Sequence, residues 1–284
     1  MFHFSLSPRR TGRGARPRAR LGAMLALAFL AGGLTAGPGN AAEGAGATAE
    51  RQYCACMALA RSRPDQAFEK AGQWKALGGG VPARHCEAVA LLGLKEYGEA
   101  ARRLEALAED VKLARGLRVD LLTQAGQAWL AVGDLSRAYA NQTTALQLAG
   151  ARAQSGAPAL SSVLPDLYID RAVTLAQAGR DDEATTDLTK ALALQPASVT
   201  ALVLRASAQR RQGRLTAARA DAEAAVKRAP NDAEARLERG DVRLALGDRD
   251  GARADWLKVL ELAPREGAAD AARARIETLD LKVR

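Results

Sequence analysis

Histidine is scarce in this chain of 284 residues, which holds two, and only His85 lies beyond the first forty residues. A metal site built from several histidines is therefore unavailable. A serine–histidine–acid arrangement would have to use His85 alone. The adjacent Cys86 lies about 100° away around the same predicted helix, which is poor geometry for a cysteine–histidine pair. We expect His85 to be a partly exposed helix residue.

Other features of enzymes are also missing. No glycine-rich loop ends in lysine followed by serine or threonine, and Gly78-Gly79-Gly80 runs into Val81-Pro82, which is typical of a turn. Carboxylates are plentiful, but they alternate with arginines and lysines, as on a solvated helix face; paired acids for hydrolysis stay open. The sequence predicts a protein that is not an enzyme, with no cofactor, no metal and no small-molecule substrate.

The positive charge of the chain is concentrated at its start. The net charge is +9, but residues 1–41 carry six arginines and no acidic residue, so the remainder is nearly balanced at +3. A nearly balanced chain gives no charge argument for binding nucleic acid. We therefore expect no DNA or RNA partner.

Residues 1–41 have the pattern of a secretory signal. The arginines end at Arg20, an apolar stretch begins at Leu21, and a tail of small residues ends at Ala41. The apolar stretch is shorter than the roughly 20 residues that a membrane span needs. We expect cleavage, a periplasmic location and no membrane insertion afterwards. A retained anchor and a wrongly assigned start codon stay open.

Beyond this leader the sequence repeats with a period of 34 residues. Four positions recur three times each: Gly179, Gly213 and Gly247; Pro196, Pro230 and Pro264; Ala184, Ala218 and Ala252; Ala172, Ala206 and Gly240. The first glycine set is suited to end a helix, since glycine adopts positive φ, and the prolines stop the following helix. Each period therefore predicts a hairpin of two helices, and the small residues let the two helices approach closely.

This pattern resembles the tetratricopeptide repeat, and we interpret the chain as an exported bacterial member of that family. The resemblance implies an all-α fold, a right-handed α-solenoid of about five or six helix hairpins with a capping helix. The expected organisation is a signal peptide at 1–41, divergent repeats at 48–152, a linker or insertion at 153–164, three regular repeats at 165–266 and the cap at 267–284.

Two further positions recur with the same period. Arginine occupies positions 171, 205 and 239, and aspartate occupies positions 187, 221 and 255. In a hairpin that turns at the glycine, the two positions lie at similar height on facing helices. We predict an arginine–aspartate ladder that keeps the hairpins in register and that could also bridge neighbouring repeats.

Three cysteines, Cys54, Cys56 and Cys86, fall in the first two predicted units. In an exported protein this number favours one disulfide and one remaining thiol. Cys54 and Cys56 point about 200° apart on one predicted helix, so each is a candidate to pair with Cys86 but not with the other. Buried free thiols are the competing interpretation.

The family resemblance also implies a binding groove lined by the first helix of each repeat. It assigns these partner-binding positions: Ile169, Val173, Gln177, Thr200, Val203, Ser207, Arg210, Arg211, Leu237, Asp241 and Leu244. Upstream positions of the same kind are Asp120, Thr123, Gln127, His85, Val89 and Leu92. Alternatively, Val173, Val203 and Leu237 pack against adjacent helices. The arginine excess of residues 199–232 could meet an acidic partner or form a solvated basic face.

The sequence therefore favours a scaffold or adaptor of the cell envelope that binds a protein or peptide segment in this groove. An assembly or maturation helper for exported clients is the alternative, and an unrecognised envelope enzyme subunit or a structural spacer also stays open.

Overall fold

The computed structural model describes residues 38–154, 158–263, 265 and 267–281. The regular secondary structure of these residues is helical. The chain divides into two units, residues 1–50 and 51–284. Of the first unit, only the beginning of helix α1 is described, so most of the predicted signal peptide lies outside the described residues. Everything below concerns the second unit.

The helices follow one another without strands in the described part of the chain. They are α1 (Pro38–Ser62), α2 (Pro64–Ala76), α3 (Gly80–Gly93), α4 (Tyr97–Ala108), α5 (Arg115–Val132), α6 (Leu135–Gln154), α7 (Pro158–Ser161), α8 (Leu164–Gln177), α9 (Asp181–Leu194), α10 (Val199–Arg211), α11 (Leu215–Arg228), α12 (Ala233–Ala245), α13 (Arg249–Leu262) and α14 (Gly267–Leu281). The predicted all-α fold of repeated helix hairpins is confirmed.

The regular hairpins are α8–α9, α10–α11 and α12–α13, and each turns at one of the repeated glycines. Gly179, Gly213 and Gly247 have φ of 71°, 73° and 87°, the left-handed region that glycine occupies without steric penalty. The second helices α9 and α11 end two residues before Pro196 and Pro230. Pro264, the third predicted stop, lies outside the described residues.

Close packing inside each hairpin depends on the small residue of the first helix and the residue 16 positions later. In α12–α13, a Cβ atom on Gly240 would lie only 2.5 Å from Nε1 of the buried Trp256. Glycine is therefore present where the facing side chain is largest. In α10–α11 the facing residues are Ala206 and Ala222, which pack together without needing a glycine.

The arginine–aspartate ladder is confirmed in all three regular hairpins. The Nε atoms of Arg171 and Arg205 donate to Oδ2 of Asp187 and Asp221 over 2.6 and 2.7 Å, and a second nitrogen of each arginine donates to Oδ1. Arg239 holds Asp255 in the same two-point manner. These three aspartates are buried.

The ladder also bridges neighbouring hairpins. Nη1 of Arg171 donates to Oγ1 of Thr143 on α6, and Nη1 of Arg205 donates to Oγ1 of Thr189 on α9. Arg171 and Arg205 therefore each connect their own hairpin with the preceding one, so these two side chains support the stacking of hairpins as well as their internal register.

Candidate partner-binding wall

The first helices of successive hairpins contact one another and form one side of the array, which we call the first-helix wall: α3, α5, α8, α10 and α12, continued by α14. Side-chain hydrogen bonds cross several of its steps. His85 on α3 lies 3.2 Å from Gln124 on α5, Gln127 on α5 lies 3.0 Å from Asp170 on α8, and Arg210 on α10 lies 2.8 Å from Glu238 on α12. These hydrogen bonds connect neighbouring helices at three places along the wall.

The predicted groove residues differ widely in exposure. Ile169, Val173, Leu237 and Asp241 are buried; Val203, Ser207 and Arg210 are partly buried; Gln177, Thr200, Arg211 and Leu244 are exposed. Leu237 belongs to the core around Trp256, and Ile169 belongs to the core between α8 and α9. The surface that a partner could reach on α8, α10 and α12 is therefore narrower than the predicted set.

An ion-pair network occupies the wall between α10 and α14. Arg210 donates to Glu238 on α12, and Arg275 on α14 donates through two nitrogens to Asp241, which also accepts from Nε1 of Trp256. Burial raises the pKa of Glu238, while Arg210 acts against that shift. Both carboxylates thus receive an arginine from the adjacent first helix, so the capping helix is held by charge as well as by apolar packing.

The arginine excess of residues 199–232 is largely neutralised within the protein. Arg205 pairs with Asp221, Arg210 with Glu238, Arg211 with Asp181, Arg214 with Asp182 and Arg219 with Glu223. Several of these acids lie in other repeats, so the count of charges within one repeat overstates its basicity. The observed pairing reduces the positive charge available to an acidic partner, whereas Arg211, Arg214 and Arg219 remain exposed, as in a solvated face.

The step from α5 to α8 carries a partly buried acid with a neutral partner. Nε2 of Gln127 donates to Oδ2 of Asp170, and Gln142 on α6 donates to the backbone oxygen of the same residue over 3.3 Å. Burial raises the pKa of Asp170 to about 6, and the nearby charge of Asp166 adds to that shift. The carboxylate is therefore less stable in its charged form than an ordinary surface acid.

His85 is not the partly exposed residue expected from the sequence, because α3 is covered by α1 and α5. Its side chain is 4% exposed, with Nδ1 lying 2.8 Å from the hydroxyl of Tyr53 and Nε2 facing Gln124. Burial lowers the pKa of His85. A neutral imidazole that donates from Nε2 to Gln124 and accepts from Tyr53 satisfies both contacts.

A disulfide joins the first two hairpins. Cys56 on α1 and Cys86 on α3 are bonded, with Cα atoms 6.1 Å apart, while Cys54 is a free, exposed thiol. The sequence left Cys54–Cys86 and Cys56–Cys86 open as pairings, and the structure contains Cys56–Cys86. The sulfur of Cys86 is thereby removed from any chemistry with the adjacent His85.

Other possible sites are weak in the described part of the chain. A cleft of about 390 Å³ lies between α9 and α11 on the opposite side, but two of its three charged lining residues, Asp182 and Arg214, pair with each other over 2.7 Å, and the third, Lys190, pairs with Asp187. Among the described residues no group of His, Cys, Asp and Glu side chains is arranged to hold a metal ion. None of the described helices has the length and apolar character needed to cross a bilayer.

Sequence reasoning missed Asp170, Glu238 and Arg275 as residues that connect the wall. The repeat period offered one signal, since Asp170 and Glu238 stand two periods apart and occupy the same position of their helices. The position between them holds Leu204, which hides the pattern. The partners of both acids come from other repeats, and a single-repeat comparison does not show them.

Comparison with known proteins supports the tetratricopeptide repeat for the regular part. Residues 169–233 and 203–271 match a family model described as tetratricopeptide repeat. No curated protein sequence matches the chain closely enough to count as a relative.

Solved structures show the same fold. YrrB, described as a TPR protein with an unusual peptide-binding site, is 18% identical with a TM-score of 0.50, over 74% of this chain and 97% of that one. MamA from Desulfovibrio magneticus RS-1 is 20% identical with a TM-score of 0.52, over 70% of this chain and 97% of that one. At these identities the likeness concerns the fold alone.

Proposed function

We propose that this chain is a non-catalytic scaffold or adaptor that binds a protein or peptide segment on the first-helix wall. The observation that carries the proposal is the placement of exposed or partly exposed side chains on three consecutive wall helices, with Gln177 on α8, Thr200, Val203 and Ser207 on α10 and Leu244 on α12. A segment lying across these helices would meet apolar and polar contacts in turn. Tetratricopeptide repeat proteins generally mediate protein–protein binding, and YrrB has a peptide-binding site.

The absence of catalysis is part of the proposal. The adjacent residues His85 and Cys86, the cysteine–histidine pair considered from the sequence, are held in a hydrogen-bonded core position and in a disulfide. On the wall from α10 to α14, Arg210 is paired with Glu238 and Arg275 is paired with Asp241. These arrangements favour a structural role for the groups concerned.

The test is crosslinking followed by co-purification from the native envelope fraction with a Thr200→Glu/Leu244→Glu variant. Both positions are exposed, so the substitutions change the wall without entering the core. The matched control is Leu257→Glu on α13, since Leu257 is 41% exposed and Leu244 is 38% exposed. We expect a discrete partner that is lost with the wall variant and kept with the control, with equal circular dichroism. Retention by the wall variant would place binding elsewhere.

We also propose that the chain is exported and acts in the periplasm. Residues 1–41 carry the signal pattern, and disulfides such as Cys56–Cys86 persist mainly in oxidising compartments. Mass spectrometry of the protein from cell fractions tests this proposal. We expect a mature chain in the periplasmic fraction that has lost the segment ending near Ala41. A full-length chain in the cytoplasmic fraction with reduced cysteines would contradict it.

A further inference from the structure

In three places an acid on one wall helix accepts a hydrogen bond from a side chain of the preceding or following wall helix. At α10–α12 the donor to Glu238 is Arg210, and at α12–α14 the donor to Asp241 is Arg275. At α5–α8 the acid is Asp170 and the donor is the neutral amide of Gln127. Two of the links are therefore ion pairs, and the third lacks the cation.

The missing cation distinguishes Asp170 from the other linking acids of the wall; away from the wall, Glu105 on α4 is also held by neutral donors, Trp129 and Asn141. Among the described residues, the buried acids of the regular hairpins, Asp187, Asp221 and Asp255, also receive an arginine. Glu87 in the divergent half receives both Lys75 and Arg103. Asp170 has Gln127 as its described side-chain partner, and the neighbouring charge, Asp166, has the same sign. A carboxylate held between two helices without a counter-charge is expensive to keep ionised.

Asp170 also lies where a partner could reach it. Its side chain is partly exposed on the wall, and it stands one turn from Val173 and two turns from Gln177 along α8. Thr123 and Gln127 of α5 are also partly exposed, and neither carries a charge. This part of the wall therefore offers a carboxylate and neutral hydrogen-bonding groups, whereas the wall from α10 to α14 offers ions that are already paired.

We propose that the α5–α8 step of the wall is a subsite for a lysine or arginine side chain of the bound segment, with Asp170 as its counter-ion and Gln127 as the residue that orients the carboxylate. The inference rests on the proposed function, since it names the chemistry of the segment that the wall binds. At the later steps of the wall, Arg210 and Arg275 supply the cations that pair with Glu238 and Asp241. At the α5–α8 step, the cation that pairs with Asp170 comes from the partner.

The test uses a phage-displayed library of random dodecapeptides selected on the full chain, followed by fluorescence anisotropy with a synthetic copy of the best peptide. We expect the selected peptides to share a lysine or arginine, and replacement of that residue by glutamine to weaken binding about tenfold or more. Asp170→Asn should weaken binding of the basic peptide by a similar factor and leave the glutamine peptide unaffected. Asp182→Asn, on the opposite side of the array, is the matched control and should leave both affinities unchanged.

A second variant separates loss of the subsite from loss of the fold. Gln127→Arg introduces a cation at the residue that already donates to Asp170. We expect it to raise the midpoint of thermal unfolding while weakening binding of the basic peptide, a combination that a misfolded protein does not give.

The outcomes distinguish the two proposals. Peptides that bind the wall without a basic residue, or whose affinity is unchanged by Asp170→Asn, would overturn the cation subsite and leave the proposed function standing. If no peptide is selected, or if selected peptides bind the Thr200→Glu/Leu244→Glu and Asp170→Asn variants as well as the wild type, both proposals are overturned.

Discussion

The regular hairpins α8–α13 and the divergent hairpins α1–α6 solve the same packing problem in different ways. The regular half repeats one solution three times, an arginine on the first helix bound at two points to a buried aspartate on the second. The divergent half pairs Glu87 on α3 with Arg103 on α4, joins its first two hairpins by the Cys56–Cys86 disulfide, and elsewhere has Glu105 accepting from both Trp129 and Asn141. The solenoid geometry therefore requires a link between helices at each level, but it leaves the chemistry of that link free.

The ladder gives the strongest test of this comparison. Asp255 is 2% exposed and accepts from Arg236, Arg239 and Arg243. Asp255→Ala leaves three partly buried arginines without their acid. Loss of one partner of a buried ion pair destabilises a protein by about 3–5 kcal/mol. We expect the lower end of this range, because the arginines keep some hydration. Urea unfolding measures the change.

Asn141, the residue of the divergent half that corresponds to a ladder aspartate, provides a comparison for Asp255→Ala. Asn141 occupies on α6 the place that Asp187 occupies on α9, and it donates to Glu105 and to the backbone oxygen of Arg137. Asn141→Ala removes hydrogen bonds but no buried counter-charge, so we expect a smaller loss of about 1–2 kcal/mol. Equal losses for Asn141→Ala and Asp255→Ala would mean that the ionic ladder is no stronger than the neutral link.

The disulfide provides the next largest effect, and it is confined to the divergent half. The core around it is small, with Cys56, Ala71 and Cys86 buried and Met57 and Trp74 packed against them. A Cys56→Ala/Cys86→Ala variant should lose about 2–4 kcal/mol of stability, since the bond closes a loop of 30 residues. Hydrogen exchange should accelerate in α1–α3 and stay unchanged in α10–α13.

A control separates the bond from the thiol. Cys54→Ala should leave stability and exchange unchanged, because Cys54 is exposed and unbonded. Faster exchange throughout the chain after loss of the bond would show that the two halves unfold as one unit, which contradicts the local role of the disulfide.

At Gly240, packing against Trp256 and helix propensity predict changes of opposite sign in the free energy of unfolding on substitution by alanine. Alanine is favoured over glycine inside a helix by about 1 kcal/mol, so Gly240→Ala would stabilise α12 if propensity decided the outcome. The added methyl would instead press on Trp256 at 2.5–2.7 Å, and overpacking of this kind typically destabilises by about 1–3 kcal/mol. We expect a net loss in thermal unfolding. A net gain would show that Trp256 can move aside.

The sequence was sufficient for the parts of the fold that recur. The 34-residue period predicted the hairpins, the glycine turns and the arginine–aspartate pairs, because all of these lie within one repeat or at a fixed offset. It did not predict that His85 is buried, since the covering residues Tyr53 and Gln124 stand 32 and 39 positions away in helices of weak periodicity. Nor did it predict that Arg211 pairs with Asp181 of the preceding repeat. Such contacts depend on how hairpins stack, which no single repeat encodes.

Asp170, at the junction between the two halves, should make stability depend on pH. Its pKa of about 6 in the folded protein is above the unfolded value near 4, so the folded state binds more protons between pH 4 and 6. The free energy of unfolding should therefore fall as pH rises through this window, by at most about 1.4 kcal/mol per pH unit from this group. The hydrogen bond from Gln127 opposes part of the rise in the pKa of Asp170 and the charge of Asp166 adds to it, so burial sets the net direction.

The contribution of Asp170 is isolated by comparing pH profiles. Asp170→Asn should flatten the dependence between pH 4 and 6 relative to the wild type, and the two proteins should run parallel above pH 7. Identical profiles would mean that water or a rearranged side chain compensates the charge.

The smallest effect concerns the turn between α3 and α4, where a lysine occupies the place that glycine has in later hairpins. Lys95 adopts φ of 64° between α3 and α4, at the place where Gly133 and Gly179 turn the later hairpins. A residue with a Cβ atom is strained in this region, whereas glycine is not, although glycine loses more entropy on folding. Lys95→Gly should therefore stabilise by up to about 1 kcal/mol, and Gly133→Lys should destabilise by a similar amount. Thermal unfolding of both variants measures the two changes in stability. A lower stability of Lys95→Gly would mean that the lysine side chain makes a stabilising contribution that outweighs the strain of its backbone.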